Sequence, residues 1–402
     1  MFLTRFSAKQ KDSKTLISAF GARHAFLLSG IAIAPWASII PYVKEHLQLN
    51  ELSYALVILC FGIGSVTGMP ITGYLVRKFG VKKILLLSFI GLYLCVLGVS
   101  LPFLNLEFTV LFVFFWGFFM GINEVANNIH GTYFEDLLTT HLLSGFHACQ
   151  TVGCLITALI YPIFLSSGFA PYQISIVIST LGIIYALSLY PHLQETYGIR
   201  EIKEKTADTI KNSLPNLTQY QIVLAGIACM IMYLCEGMIY DWSGVYLNKQ
   251  CLVPLEIASI GYVVFQFCVA LLRFVGDRLV NTIGPLKLIV IGSFIAFIAL
   301  MIVSSSNNPF LVITAFALCG LSLANVVPVL FSDVAKRCGQ NKAKAISLVG
   351  TLGYSGVLLG PAVLGVIATF ISLSAIYAFT ACCMLILAIC SIKVLGKKKS
   401  KK

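Results

Sequence analysis

The chain is short of charge. Only 11% of its residues are Asp, Glu, Lys or Arg, against about 25% in soluble proteins, and 58% are hydrophobic, with a mean hydropathy of +0.91. A soluble protein so apolar could not keep its surface wetted, so that class is excluded. No G-x(4)-G-K-[ST] loop is present, which argues against a nucleotide-driven pump, and nothing resembles a hydrolytic site. The thirteen cysteines scatter through apolar runs (Cys60, Cys95, Cys154, Cys229, Cys382, Cys383) without paired metal spacing. They read as small hydrophobes; no metal and no cofactor is expected. No cleavable leader is expected either, since MFLTRFSAKQKDSK is polar and the apolar run after it continues to spanning length.

What the chain has instead is apolar length. Twelve runs, each near the roughly 20 residues that cross hydrocarbon, fall at 18–42, 52–76, 84–103, 107–130, 142–166, 170–191, 220–247, 255–280, 285–305, 309–331, 344–371 and 373–395. They predict an all-α membrane protein of twelve transmembrane helices, with the lipid bilayer as its first partner. The net charge of +12 suggests nucleic acid until its distribution is read. With the N-terminus inside, the basic residues collect in the N-terminal tail (Arg5, Lys9, Lys11, Lys14, Arg23), the 2–3 loop (Arg77, Lys78, Lys82, Lys83), the segment after the sixth span (Arg200, Lys203, Lys205, Lys211), the 8–9 loop (Arg273, Arg278, Lys287), the 10–11 loop (Lys336, Arg337, Lys342, Lys344) and the C-terminal tail. Of all 28, only Lys44 and Lys249 fall on the other side. That asymmetry places both termini in the cytoplasm and leaves no nucleic-acid surface.

One long polar stretch, HLQETYGIREIKEKTADTIKNSLPNLTQ, interrupts the pattern. It divides the chain into a six-helix bundle at 1–191, a cytoplasmic linker at 192–219, a second six-helix bundle at 220–395 and a basic tail at 396–402, the layout of transporters built from two related halves. Weak internal similarity agrees. GYLVRKFG (73–80) follows the second span and GDRLVNTIG (276–284) the eighth, each with a glycine for close helix approach and a basic cluster. Gly153 in the fifth span corresponds to Gly356 in the eleventh.

These residues carry a family resemblance. GYLVRKFGVKK, with Gly73, Arg77, Lys78, Gly80, Lys82 and Lys83, resembles the D-R-x-G-R-[KR] loop of the major facilitator superfamily. Arg77 stands where that loop usually has aspartate, so the expected carboxylate partner is missing there. The second copy keeps it, as Gly276, Asp277 and Arg278. INEVANNIHGTYFED, LLSGFHACQTVGCL, CEGMIYDWSGVYL, LLRFVGDRLV and GTLGYSGVLLGPAVLG are similar to blocks of the YbjJ-like inner-membrane proteins. The resemblance covers essentially the whole chain. It implies the major facilitator fold, location in the cell inner membrane and solute transport, and it names no substrate.

The residues add a polar constellation. Glu124 and Glu236 lie inside apolar spans, where a charge costs roughly 2.5–3.5 kcal/mol on insertion scales and usually serves a pathway. At 100° per residue, Gly117, Met120, Gly121, Glu124, Asn127, Asn128 and Gly131 share one stripe of the fourth span, with Phe112, Phe115, Phe118 and Phe119 opposite as a lipid face. In the fifth span His147, Gln150, Thr151, Cys154 and Ala158 share a face. Glu124 and His147 each lie about 8 Å from the inner end of their spans at 1.5 Å per residue, within reach of one another, and have the chemistry of a proton relay. Glu236 is the second candidate for coupling or solute contact. Asn127, Asn128, Gln150 and Asn325 are expected to line a cavity. His130 and Asn123 fall off the stripe, toward a neighbouring helix or the headgroups; Trp242 reads as an interfacial anchor with Asp241 wetted beside it. Arg23 and Arg273 snorkel to the headgroups or line the inner mouth. Pro35, Pro41, Pro328 and Pro361 mark places where helices bend.

The expectation is therefore a monomeric secondary transporter of a small solute, working by alternating access with protons as the coupling ion. A siderophore or organic-acid importer is the alternative within this fold, weakened by the shortage of buried cations. A non-transporting membrane sensor is the alternative outside it, and a membrane-embedded enzyme would need a compact catalytic cluster that these spread polar residues do not form.

Overall fold

The computed structural model describes residues 13–103, 105–138, 142–195, 217–338 and 342–396. Most of the expected linker, the tail from residue 397 and the side chain of Asp277 lie outside that set. Lipid offers no hydrogen-bond partner to a bare backbone, so a spanning segment of this kind satisfies its own N–H and C=O groups as helix. The first span is broken into α1 (Ser13–Ile33) and α2 (Pro35–His46). The next five are α3 (Glu51–Phe79), α4 (Val81–Val99), α5 (Leu106–Leu138), α6 (Leu143–Ser166) and α7 (Pro171–Leu189). Then follow α8 (Gln219–Lys249), α9 (Ile260–Ile283) and α10 (Pro285–Ser305), a second broken span of α11 (Pro309–Leu323) and α12 (Val326–Arg337), and α13 (Lys342–Phe370) and α14 (Leu373–Leu395). Twelve stretches among the described residues are long and apolar enough to cross a membrane.

Both breaks have a proline cause. Pro35 opens α2 and has no N–H for the carbonyl four residues back; Pro328 leaves the Ala324 carbonyl, at the end of α11, without its partner in the same way. Pro41 and Pro361 stay inside their helices, so they do not divide them.

Helix pairing repeats between the halves. α1 packs on α6 as α8 packs on α13; α3 packs on α5 as α9 packs on α11; α4 packs on α5 and α7 as α10 packs on α11 and α14. Glycines set the closest of these seams. A Cβ on Gly153 would strike the Leu27 carbonyl and press on Ile31 N, and one on Gly356 would strike the Met230 carbonyl and press on Leu234 N. The two glycines therefore face partners at the same spacing, as their expected correspondence requires. Between α3 and α5 the contact is mutual, Gly64 and Gly68 facing Phe114 and Phe118 backbone while Gly117 and Gly121 face Phe61 and Ser65 backbone.

The loop motifs repeat too. Gly80 joins α3 to α4 with φ +85 and ψ 151, and Gly284 joins α9 to α10 with φ +87 and ψ 149, a conformation that glycine reaches without strain. Gly276 packs against the side chain of Asn325, as a close-approach glycine should, whereas Gly73 meets only Arg77 Nη1 at 3.8 Å from an ideal Cβ. Among the described residues the first copy thus lacks the tight approach expected of it. Its missing carboxylate is supplied from elsewhere: Glu195, just after α7, accepts the Val81 N–H at 2.8 Å and sits over Gly80, at the N-terminus of α4 where a carboxylate is favoured. Lys82 lies over the Tyr190 ring, 4.8 Å from its centroid, and Arg77, Lys78, Lys83 and Arg278 are exposed.

The expected phenylalanine face of α5 is only partly lipid-facing. Phe115 is 40% exposed, but Phe112 and Phe119 fill the space over Gly98 and Gly91 of α4. Helical periodicity cannot tell a lipid from an apolar neighbouring helix.

Candidate functional site

The fourth and fifth spans bring four expected residues into one closed ring. Asn128 Nδ2 donates to Glu124 Oε1 at 3.2 Å and to the Glu124 backbone carbonyl at 2.9 Å. Gln150 Nε2 donates to Glu124 Oε2 at 3.3 Å. The amide oxygens then meet the imidazole, His147 Nε2 lying 3.3 Å from Asn128 Oδ1 and His147 Nδ1 lying 3.0 Å from Gln150 Oε1. Glu124 and His147 are therefore joined through two amides rather than bonded directly. The ring stands on α5 and α6, and all four residues are half-buried.

Each amide has one donor end and one acceptor end, and an imidazole nitrogen either donates or accepts. With Asn128 held by the Glu124 backbone carbonyl, the ring closes in two ways. Either Glu124 is a carboxylate and His147 donates from both nitrogens, or Gln150 is turned over, Glu124 donates to it and His147 accepts. Both arrangements hold the same number of protons.

In the other half stands Glu236 on α8, half-buried and without a hydrogen-bond or ion-pair partner among the described residues. Tyr233, one turn below it, stacks on Tyr354 of α13 with centroids 5.2 Å apart and planes at 17°, and both carboxylates lie in electrostatic range of this pair. Arg273 of α9 faces inward rather than snorkelling to the headgroups: its Nη1 donates to Thr151 Oγ1 of α6 at 3.0 Å, and its Nε is buried without an acceptor. Tyr262 and Cys154 lie within electrostatic range of both Glu236 and Arg273.

Two expected cavity liners are elsewhere. Asn127 is 1% exposed and belongs to a packed network in which its Nδ2 donates to Ser29 Oγ at 2.7 Å and to Asn123 Oδ1 at 2.9 Å, while Asn123 Nδ2 donates to Ser88 Oγ at 2.9 Å. That network ties α5 to α1 and α4, as interhelical glue. Asn325 sits at the break between α11 and α12, against Gly276, and its Nδ2 has no partner. His130 turns toward the end of α7 and accepts the Gln194 N–H.

The expected wet edge at Asp241 and Trp242 is buried. Trp242 is fully enclosed, T-shaped against Tyr54 at 4.9 Å. Asp241 Oδ1 accepts the Trp36 Nε1–H at 2.8 Å, and its backbone carbonyl accepts the Tyr54 hydroxyl at 2.5 Å. Ser38 to Ser259 and Tyr240 to the Ile33 carbonyl complete a latch between α1–α3 and α8–α9. Among the described residues, no hydrogen bond joins α1–α7 to α8–α14 on the basic-loop side of Arg273. The latch thus ties the two halves together at this end.

Three comparisons bear on the site. The sequence profile described as Major Facilitator Superfamily matches residues 24–343 and 227–402. An uncharacterized MFS-type transporter of Yersinia pestis is 32% identical over 367 residues, 91% of this chain and 93% of its own length, and the membrane protein MosC of Rhizobium meliloti is 26% identical over 371 residues, covering 91% and 88%. Among solved structures, a point mutant of the nucleoside transporter NupG superposes with a TM-score of 0.73 at 16% identity, covering 94% of this chain and 100% of that one. A bacterial homologue of the human lysosomal transporter Spinster, inward-facing and occupied, gives 0.67 at 14% identity, covering 96% and 97%.

Proposed function

This chain belongs to the Major Facilitator Superfamily and is a multi-pass membrane transporter rather than an enzyme, and on that premise we propose that it moves a small polar or amphipathic solute across the cell inner membrane by alternating access, driven by protons. The observation that carries the coupling is the ring of Glu124, Asn128, His147 and Gln150, a carboxylate and an imidazole in one hydrogen-bonded network. A proton leaving His147 removes a donor that an amide oxygen of Asn128 or Gln150 accepts, and so loosens the contact between α5 and α6. The same α6 carries Thr151, which holds Arg273 of the other half, so a proton event is one residue away from the contact between halves. The latch at Trp36, Tyr54 and Asp241 is the part that opens when the cavity turns to the far side.

Reconstituted vesicles with a pH-reporting dye inside test this. A transported solute added to one side should move protons with it, and an imposed pH gradient should accelerate its uptake. Glu124→Gln, which keeps the shape and cannot ionise, should lower gradient-driven uptake at least tenfold. Uptake by this variant with an unchanged pH profile would mean that Glu124 is not the coupling group.

A further inference from the structure

We infer that the site formed by Glu236, Arg273 and the Tyr233–Tyr354 stack selects an amino-acid-like zwitterion, a solute with an ammonium group, a carboxylate and an aromatic or branched apolar body; this rests on the transporter reading above and names its substrate class. Glu236 and Arg273 come from neighbouring helices and both lie within electrostatic range of the same Cys154–Tyr262 contact. Neither is in an ion pair among the described residues. Glu236 has no polar partner at all there, and Arg273 spends one nitrogen on Thr151 and leaves Nε unsatisfied. Opposite charges held apart in a low-dielectric site are costly unless something completes them. A ligand with complementary charges does so at both ends, the carboxylate on the guanidinium and the ammonium on Glu236.

The charge balance favours this over a simple cation or anion. Glu124 is satisfied by two amide N–H groups within its ring, whereas Glu236 and Arg273 remain, among the described residues, as one charge of each sign without an ion-pair partner. A net cation would satisfy Glu236 and leave Arg273 bare; a net anion would do the reverse. The half-buried Tyr233–Tyr354 stack beside the carboxylates supplies a flat apolar surface, suited to a side chain and able to attract an ammonium over its face.

The test uses matched sets of probes that share one body. Phenylalanine, phenethylamine and 3-phenylpropionate form the first set; leucine, isopentylamine and 4-methylpentanoate form the second. Each is titrated against the purified full-length protein by thermal shift and calorimetry, without a pH gradient. The zwitterion of at least one set should bind tenfold or more tightly than its amine and its acid. Arg273→Gln should erase its advantage over the amine, Arg273→Lys should keep part of it, and Glu236→Gln should erase its advantage over the acid. Equal binding of zwitterion and amine, equal binding of zwitterion and acid, or no binding by either set overturns the inference, and none of these touches the proton-driven uptake expected above. Binding in the expected order with no uptake of that zwitterion into vesicles would instead overturn the transporter reading.

Discussion

Removing the Trp36 indole N–H should open the latch without emptying it. Trp36→Phe leaves an aromatic ring against Phe61 and Trp116, which lie 4.9 and 5.2 Å away, but takes the donor from Asp241, a carboxylate only 8% exposed. A buried acceptor left without its donor costs about 1–3 kcal/mol. The bond exists only while α2 and α8 are in contact, so its loss falls on the closed state. At about 1.4 kcal/mol per factor of ten, the latch should open roughly five- to a hundredfold more often. Amide hydrogen exchange read by mass spectrometry reports this directly, as faster exchange at the latch ends of α2 and α8. Trp116→Phe is the matched control, because Trp116 Nε1 has no acceptor; it loses the same ring atoms and no bond. If both variants speed exchange equally, or if Trp36→Phe leaves exchange at the latch unchanged, the hydrogen bond does not hold the halves together.

Two further substitutions separate packing from transport. Gly153→Ala drives a methyl into the Leu27 carbonyl of α1, and overpacking of this kind costs about 1–3 kcal/mol. Its melting temperature in detergent should fall by several degrees, whereas Gly237→Ala, with open space around it, should not lower it. Asn123→Ala strips partners from Ser29, Ser88 and Asn127, at about 1–3 kcal/mol for buried groups left unpaired; melting should drop while the pH profile of uptake stays as in the parent, and a shifted profile would place Asn123 in the coupling path.

Which parts of this were readable beforehand follows from the range of the interactions. Spanning length is a property of consecutive residues, so the twelve spans and the charged side of the molecule were legible. Glu124 and the His147–Gln150 face were legible because a charge or a polar stripe in an apolar run has few explanations. Their bridging through Asn128 and Gln150 was not, since it depends on the rotation of α6 against α5. Asn127 was misassigned for a related reason: it lies on the stripe of Glu124, but what it meets is Ser29, 98 residues away. Trp242 has the amphipathic ring of an interfacial anchor, yet Asp241 beside it takes its partner from Trp36, 205 residues away. Glu195 replaces the carboxylate that Arg77 displaces from a position that no local pattern links to it.

The glycine seams have a mechanical consequence. Where Gly64, Gly68, Gly117 and Gly121 let α3 and α5 touch main chain to main chain, the contact is made by rigid atoms with no rotamers to absorb strain. Such a joint is stiff in shear, and sliding it means climbing over a carbonyl. The α1–α6 and α8–α13 joints at Gly153 and Gly356 are stiff in the same way. Between α3 and α13 the crossings are close as well, Gly62 on the Leu358 main chain and side chain and Gly365 on the Ala55 methyl. Each main-chain seam therefore resists sliding, and a helix pair joined by one moves as a single piece.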